Sequence, residues 1–244
     1  MSVRPSPWAG VLVPPSNPSI EPELARCLDG AMTLFAARFP VMPGTTLEQR
    51  NRRYVELYRD SVRAFGDLAL SAIVIGLTGP SYRFLPEGDR ALMDDLEGIA
   101  NMPVITASAA IATAAASLSA RRLCLVSPYP QWLTAEASQY WRAGGHDIVQ
   151  IVEMSETFRA YDLAEDEIRA ALARVDFAGI DAVVMSGTGM LTLPAILAVR
   201  KSIATPILSS NLCCAFSLLR NAGLRAGSAM FAAAAPELAA RLAA

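Results

Sequence analysis

Residues 71–84, SAIVIGLTGPSYRF, and residues 181–194, DAVVMSGTGMLTLP, are two versions of one unit. In each, an apolar run empties into a turn of small and hydroxylic residues and then passes into a helical pattern. Short, continuously apolar runs of this kind suit strands buried on both faces of a parallel sheet. Two further pieces repeat in the same order. GVLVPPSNPSIEPELARCL (10–28) pairs with RLCLVSPYPQWLTAEASQYW (122–141), and MPVITASAAIATAAASL (102–118) pairs with TPILSSNLCCAFSLL (205–219). The strand ends near residues 13, 77 and 105 therefore recur near 126, 185 and 208.

This pattern predicts an α/β fold of two similar Rossmann-like parallel-sheet halves related by a pseudo-two-fold axis. The first half is expected to span 1–108 together with 225–244, and the second 109–224. Two independent domains are the alternative reading. Strands are expected at 10–13, 72–77, 103–106, 122–126, 148–152, 181–185 and 206–209. Helices are expected at 21–37, 46–66, 88–99, 107–120, 131–143, 163–175, 193–203, 211–222 and about 227–243, the last of them Ala-rich and folding back on the first half.

Composition narrows the chemistry. The 244 residues are 53% hydrophobic with a formal charge of −2, and acidic and basic residues are interspersed. Nothing in that balance marks a nucleic-acid surface or a membrane patch. No apolar stretch reaches the ~20 residues of a membrane span, and MSVRPSPWAG lacks the apolar core of a signal peptide, so a cytoplasmic location is expected. The four cysteines (Cys27, Cys124, Cys213, Cys214) follow no zinc spacing. His146 is the single histidine. A His-rich metal centre is thereby excluded, and no nucleotide-binding glycine motif occurs.

Ligands of parallel sheets bind beyond the carboxyl ends of the strands. Four polar turns fall there, and two facing halves would enclose one small cleft between them. PPSNPS offers Pro15, Ser16 and Asn17. Asn17 can either donate to a carboxylate or shape its own loop as an Asx-turn. LTGPS offers Thr78, Gly79 and Ser81. SGTG offers Ser186, Gly187, Thr188 and Gly189, and SSN offers Ser210 and Asn211. Tyr129, in SPYP, adds a phenolic donor. All of these groups donate hydrogen bonds and none is a carboxylate, so the cleft suits a small anion. Glu21 and Glu23 are expected to start a helix, where acidic residues match the dipole. His146 follows Gly145 at the opposite end of the sheet.

The opening VLVPPSNPSIEPE, the doubled α/β plan and the paired LTGPS and SGTG turns resemble the aspartate/glutamate racemase superfamily, in its maleate cis-trans isomerase and arylmalonate decarboxylase branch. SGTGMLTLPAI and RRLCLVSPY are similar to the decarboxylase. The resemblance implies cofactor-free chemistry beside a carboxylate, a small carboxylate or dicarboxylate substrate, and a homo-oligomer. It implies that Asn17, Tyr129 and Asn211 bind carboxylate while Thr78-Gly79 and Gly187-Thr188-Gly189 cradle an enediolate-like charge. It also implies catalytic cysteines at two mirrored turns. Here those positions fall on Thr78 and on Gly187 or Thr188, so thiol chemistry there is lost. The proton donor is then Tyr129, with Tyr82, a cleft water, or a thiol of Cys213 or Cys214 as alternatives; core packing is the alternative use of those two cysteines. Three functions are open: a decarboxylase, lyase or isomerase working through an oxyanion nest, a carboxylate-binding protein without catalysis, and a different reaction on the same scaffold, such as hydration or ring opening.

Overall fold

The computed structural model describes residues 6–244. The first repeat runs β1 (Trp8–Val13), α1 (Ile20–Leu28), β2 (Thr33–Arg38), α2 (Leu47–Arg63), β3 (Leu70–Ile75), α3 (Gly79–Tyr82), α4 (Leu85–Ala100), β4 (Val104–Thr106) and α5 (Ala107–Ser117). The second runs β5 (Arg122–Ser127), α6 (Gln131–Ala143), β6 (Asp147–Glu153), α7 (Glu165–Ala173), β7 (Ala182–Met185), α8 (Thr192–Val199), β8 (Ile207–Ser209) and α9 (Ser210–Asn221). Helices α10 (Ala229–Ala234) and α11 (Pro236–Ala243) follow.

Each repeat builds a four-stranded parallel sheet, with orders β2-β1-β3-β4 and β6-β5-β7-β8. The central strands β1, β3, β5 and β7 are buried almost throughout, which accounts for their unbroken apolar runs. The edge strands β2 and β6 alternate between exposed and partly or fully buried positions. After β1 and after β5 the chain first adds an edge strand and then crosses to the other side of the starting strand. The carboxyl ends of β1/β3 and β5/β7 are therefore topological switch points, where open α/β sheets leave a crevice. The matching ends β4 and β8 each hand over directly to a helix capped by a strand-end hydroxyl. Thr106 Oγ1 accepts from Ala109 N at 3.1 Å, and Ser209 Oγ accepts from Leu212 N at 3.3 Å.

Two segments depart from expectation. The helix expected at 21–37 is α1 followed by β2. Gly30, at φ +72°, turns the chain after Leu28, and TLFAAR then pairs with β1 from Trp8↔Thr33 to Val13↔Arg38. The helix expected at 227–243 is broken at Pro236, whose ring cannot continue α10 and instead opens α11. Helix α10 lies against α1 and α8, and α11 against α9 and α5. No helix among the described residues is long and apolar enough to cross a membrane.

Candidate active site

The two switch points face each other, and their turns are joined by hydrogen bonds between the repeats. Thr188 Oγ1 donates to the Gly76 carbonyl at 2.7 Å and accepts from Asn17 Nδ2 at 3.0 Å. Ser19 Oγ donates to the Gly189 carbonyl at 2.7 Å. Thr78 Oγ1 and the Tyr129 hydroxyl lie 2.7 Å apart, and the Tyr82 hydroxyl bonds Ser186 Oγ. All of these side chains are buried.

Between the turns lies a small, partly open cavity of about 30 Å³, enough to hold ordered water. Thr78, Gly79, Tyr129, Thr188 and Gly189 line it. Among the described residues no acceptor takes the backbone N–H of the lining residues Thr78, Gly79, Thr188 or Gly189. Free N–H groups beside a buried cavity are the elements of an anion nest. The remaining walls come from α2 and from the loop after β6. Leu47, Arg50, Asn51 and Tyr54 approach on one side, and Phe158, Ala160 and Tyr161 close the other. Phe158 stacks on Tyr129, with centroids 6.1 Å apart and planes 10° apart, while the Arg50 guanidinium lies 5.8 Å over the Phe158 ring.

Several residues expected at the cleft are placed elsewhere. Ser16 is exposed and Pro15 partly so, and neither lines the cavity. The Pro15 carbonyl instead accepts from Arg38, a residue of the unexpected edge strand β2. Asn17 is buried: Oδ1 accepts from Ser19 N and Ile20 N while Nδ2 donates to Thr188 Oγ1. The Asx-turn contacts are therefore formed, and one of the two amide hydrogens is used within the protein. Ser81 is buried but does not line the cavity, and Oδ2 of the neighbouring Asp89 accepts from Thr106 Oγ1 and Tyr140. Ser210 Oγ donates to the Met185 carbonyl. The Asn211 amide donates to Glu23 at 2.8 Å and to the Thr188 carbonyl at 3.2 Å. Gly187 lies behind the cavity wall at φ +102°, where an added Cβ would fall 3.0 Å from Pro128 Cγ and 3.2 Å from the Tyr129 hydroxyl. That backbone excludes a cysteine side chain at 187 without strain.

Burial also decides the candidate acids. Tyr129 is pushed well above the ordinary phenol range by desolvation and by neighbouring Tyr82, with its bond to Thr78 opposing. Tyr82 is pushed up to about 12 by burial. Cys213 and Cys214 are fully buried within α9, their thiols raised by desolvation, and neither lines the cavity. They are core residues. His146 precedes β6, at the other end of the sheet, with Nδ1 3.2 Å from the Ala120 carbonyl.

Glu23 is the group whose role local rules miss. It is 1% exposed on α1, and its carboxylate accepts from Thr192 Oγ1 at 3.0 Å, Leu193 N at 2.5 Å and Asn211 Nδ2 at 2.8 Å. All three donors belong to the other repeat, two of them to the first turn of α8. Glu23 therefore fixes the segment that follows the SGTG turn.

Gly189 marks the closest approach in the site. A methyl group built there overlaps the Tyr161 ring. The ring is the mobile partner, so Gly189→Ala is expected to displace Tyr161 and destabilise by about 1–3 kcal/mol through overpacking. Thermal denaturation checks this, and adding Tyr161→Ala is expected to recover much of the loss.

A model of the arylmalonate decarboxylase family matches residues 9–233, and the chain belongs to that family. Its curated relatives include maleate isomerase from Geobacillus stearothermophilus, 26% identical over 235 residues, covering 88% of this chain and 92% of the relative. Maleate isomerase from Alcaligenes faecalis is 25% identical over 234 residues, covering 88% and 90%. The fold matches a cysteine-to-alanine variant of Pseudomonas putida S16 maleate isomerase with maleate at TM-score 0.85 and 19% identity, over 96% of this chain and 98% of that one. It matches an arylmalonate decarboxylase at TM-score 0.76 and 18% identity, over 92% and 97%.

Proposed function

We propose that this protein is a cofactor-independent enzyme acting on a small carboxylate or dicarboxylate, of the decarboxylase/lyase or isomerase type named for its relatives. The observation that carries this reading is the Thr78–Tyr129 hydroxyl pair lining a small cavity beside unpaired backbone N–H groups. Donors fixed where charge develops are often the largest catalytic contribution. A substrate carboxylate laid against Thr78-Gly79 and Thr188-Gly189 would be stabilised most when it carries an enediolate charge.

Decarboxylation fits these residues best, because it starts without a base. The bond between the α-carbon and the departing carboxylate breaks, carbon dioxide leaves, and the electron pair passes into the retained carboxylate as an enediolate. The α-carbon then takes a proton from the Tyr129 hydroxyl, or from a water held by Tyr129 and Thr78. Solvent restores the phenol. The cavity walls carry no thiol, imidazole or carboxylate, so addition of a thiolate to a double bond has no agent here. That same feature supports the second reading, a carboxylate-binding protein without turnover.

Proton NMR in D₂O, with the protein and a panel of malonates, maleate, aspartate and hydroxy acids, separates the two. Loss of a carboxyl group with deuterium left at the α-carbon is the expected result. Binding shifts with no conversion across the panel would favour the second reading, and isomerised maleate would overturn the exclusion of isomerisation without a thiol.

A further inference from the structure

A second cavity lies apart from the candidate active site and shares no lining residue with it. It is an open groove of about 750 Å³, walled by α4, α5, α6, α9 and the edge strand β4. The internal repeat gives this groove a counterpart, since exchanging the repeats turns α4, α5, α6 and α9 into α8, α9, α1 and α5. There the C-terminal helices supply a cover: α10 lies against α1 and α8, and α11 against α9 and α5. Among the described residues no helix seals the first groove in that way.

Two polar atoms of its lining residues are buried without a hydrogen-bond partner. Asp89, on α4, is fully buried. Its Oδ2 accepts from Thr106 Oγ1 at 2.7 Å and from the Tyr140 hydroxyl at 2.9 Å, whereas Oδ1 has no partner. Ser217, on α9, is 2% exposed, and its Oγ is likewise unpaired. Buried polar atoms are nearly always paired, so two orphans lining one groove point to a polar ligand. Arg220 lines the groove one turn beyond Ser217 on α9, and among the described residues its guanidinium has neither a hydrogen bond nor an ion pair. A second Ala-rich helix pair seated here, like α10 and α11, would leave all three groups desolvated and unmatched. The α5 residues along the groove, Ala109, Ala112 and Ala116, are small and leave room for a ligand instead.

We propose that the groove binds a small zwitterion, an amino acid in the broad sense, whose ammonium meets Asp89 Oδ1 and whose carboxylate meets Ser217 Oγ and Arg220. The assignment follows from what each side lacks. A carboxylate oxygen with no donor is matched best by a cationic N–H, and a guanidinium beside a free hydroxyl by a carboxylate. Arg90 and Glu97 also line the groove, which balances its charges at two of each sign and favours a ligand of no net charge. A ligand with a single charge satisfies one side and leaves the other bare, which is how the groove rejects it.

The test is calorimetric titration of the full chain with glycine, 4-aminobutanoate and 6-aminohexanoate, beside butylamine and butanoate. At least one amino acid is expected to bind about 10-fold or more tightly than either singly charged molecule. Asp89→Asn keeps an oxygen for Thr106 and Tyr140 but puts an amide donor where Oδ1 stood. It should weaken that amino acid about 10-fold or more and leave butanoate unchanged. Ser217→Ala and Arg220→Gln are expected to weaken it about 3–10-fold each. Neither side chain has a partner to lose, so both variants should melt with the parent, and they decide the matter even if Asp89→Asn fails to fold. Amino-acid binding that survives the substitutions, or that butylamine or butanoate matches, refutes the site, as does no amino-acid binding at all. Binding of a peptide of residues 228–244 in place of amino acids would show a seat for helices, like that of its counterpart, and would refute it too.

Discussion

Tyr129→Phe is expected to lower kcat on any substrate the protein converts by about 10²–10⁴-fold, the usual worth of a positioned proton donor, while substrate affinity changes less than about 10-fold. The substitution removes one atom and little else. Phenylalanine keeps the stack on Phe158 and the edge contact with Tyr82, so the fold and the cavity shape persist. What is lost is the hydroxyl 2.7 Å from Thr78 Oγ1. The tyrosine is a poor acid in water, and burial makes it poorer. That suits a donor to a carbanion, which is more basic than any phenolate, because the phenol stays protonated at every working pH. A second outcome follows: kcat should show no falling limb from tyrosine ionisation up to about pH 10, the ordinary phenol value. Single-turnover kinetics on parent and variant check both. A kcat within about 3-fold of the parent would remove Tyr129 from the chemistry and leave Tyr82, bonded to Ser186, as the candidate.

What the sequence reveals and conceals here follows from where each interaction is made. Strands β1, β3, β5 and β7 are legible because burial on both faces leaves them no polar positions. The doubled order of strand, turn and helix then gives the two sheets and points to their carboxyl ends. Strand β2 is concealed because TLFAAR, apolar at four of its six positions, follows helix α1 without a long loop. The one mark of the break is Asp29-Gly30, with the glycine in the left-handed region. The glycine-rich turns are legible as ligand-facing because only small residues let backbone come so close. Which of their side chains face the cavity is not, since Asn17 and Asn211 find their partners 171 and 188 residues away. Arg50 and Asn51 are concealed for the same reason. Nothing local separates them from RNRRYVELYRD, the charged face of an amphipathic helix, until the fold brings the start of α2 against the other repeat.

Glu23 is the sharpest case, since a first-turn acid on a helix already has a complete local explanation. Replacing it with alanine is expected to cost about 3–5 kcal/mol, because Thr192 Oγ1, Leu193 N and Asn211 Nδ2 would lose a buried acceptor, each left unpaired at about 1–3 kcal/mol, with partial relief as Asn211 keeps the Thr188 carbonyl. Urea denaturation of both proteins measures this. The pH dependence has a definite sign. Desolvation raises the Glu23 pKa above its ordinary value of 4.5, with the bonds to Leu193, Asn211 and Thr192 opposing. The folded state therefore holds that proton more tightly than the unfolded chain does. Glu23 contributes most below the unfolded pKa, and its contribution declines as pH rises through the interval up to the folded one. Glu23→Gln lacks this ionisation, so the stability difference, parent minus Glu23→Gln, should grow as pH falls towards 4.5. Buried carboxylates elsewhere, Asp89 among them, cancel in the difference. A difference that stays level across that interval would show that Glu23 titrates alike folded and unfolded, with the three donors offsetting its burial in full. In that case Glu23 contributes equally to stability above and below its titration.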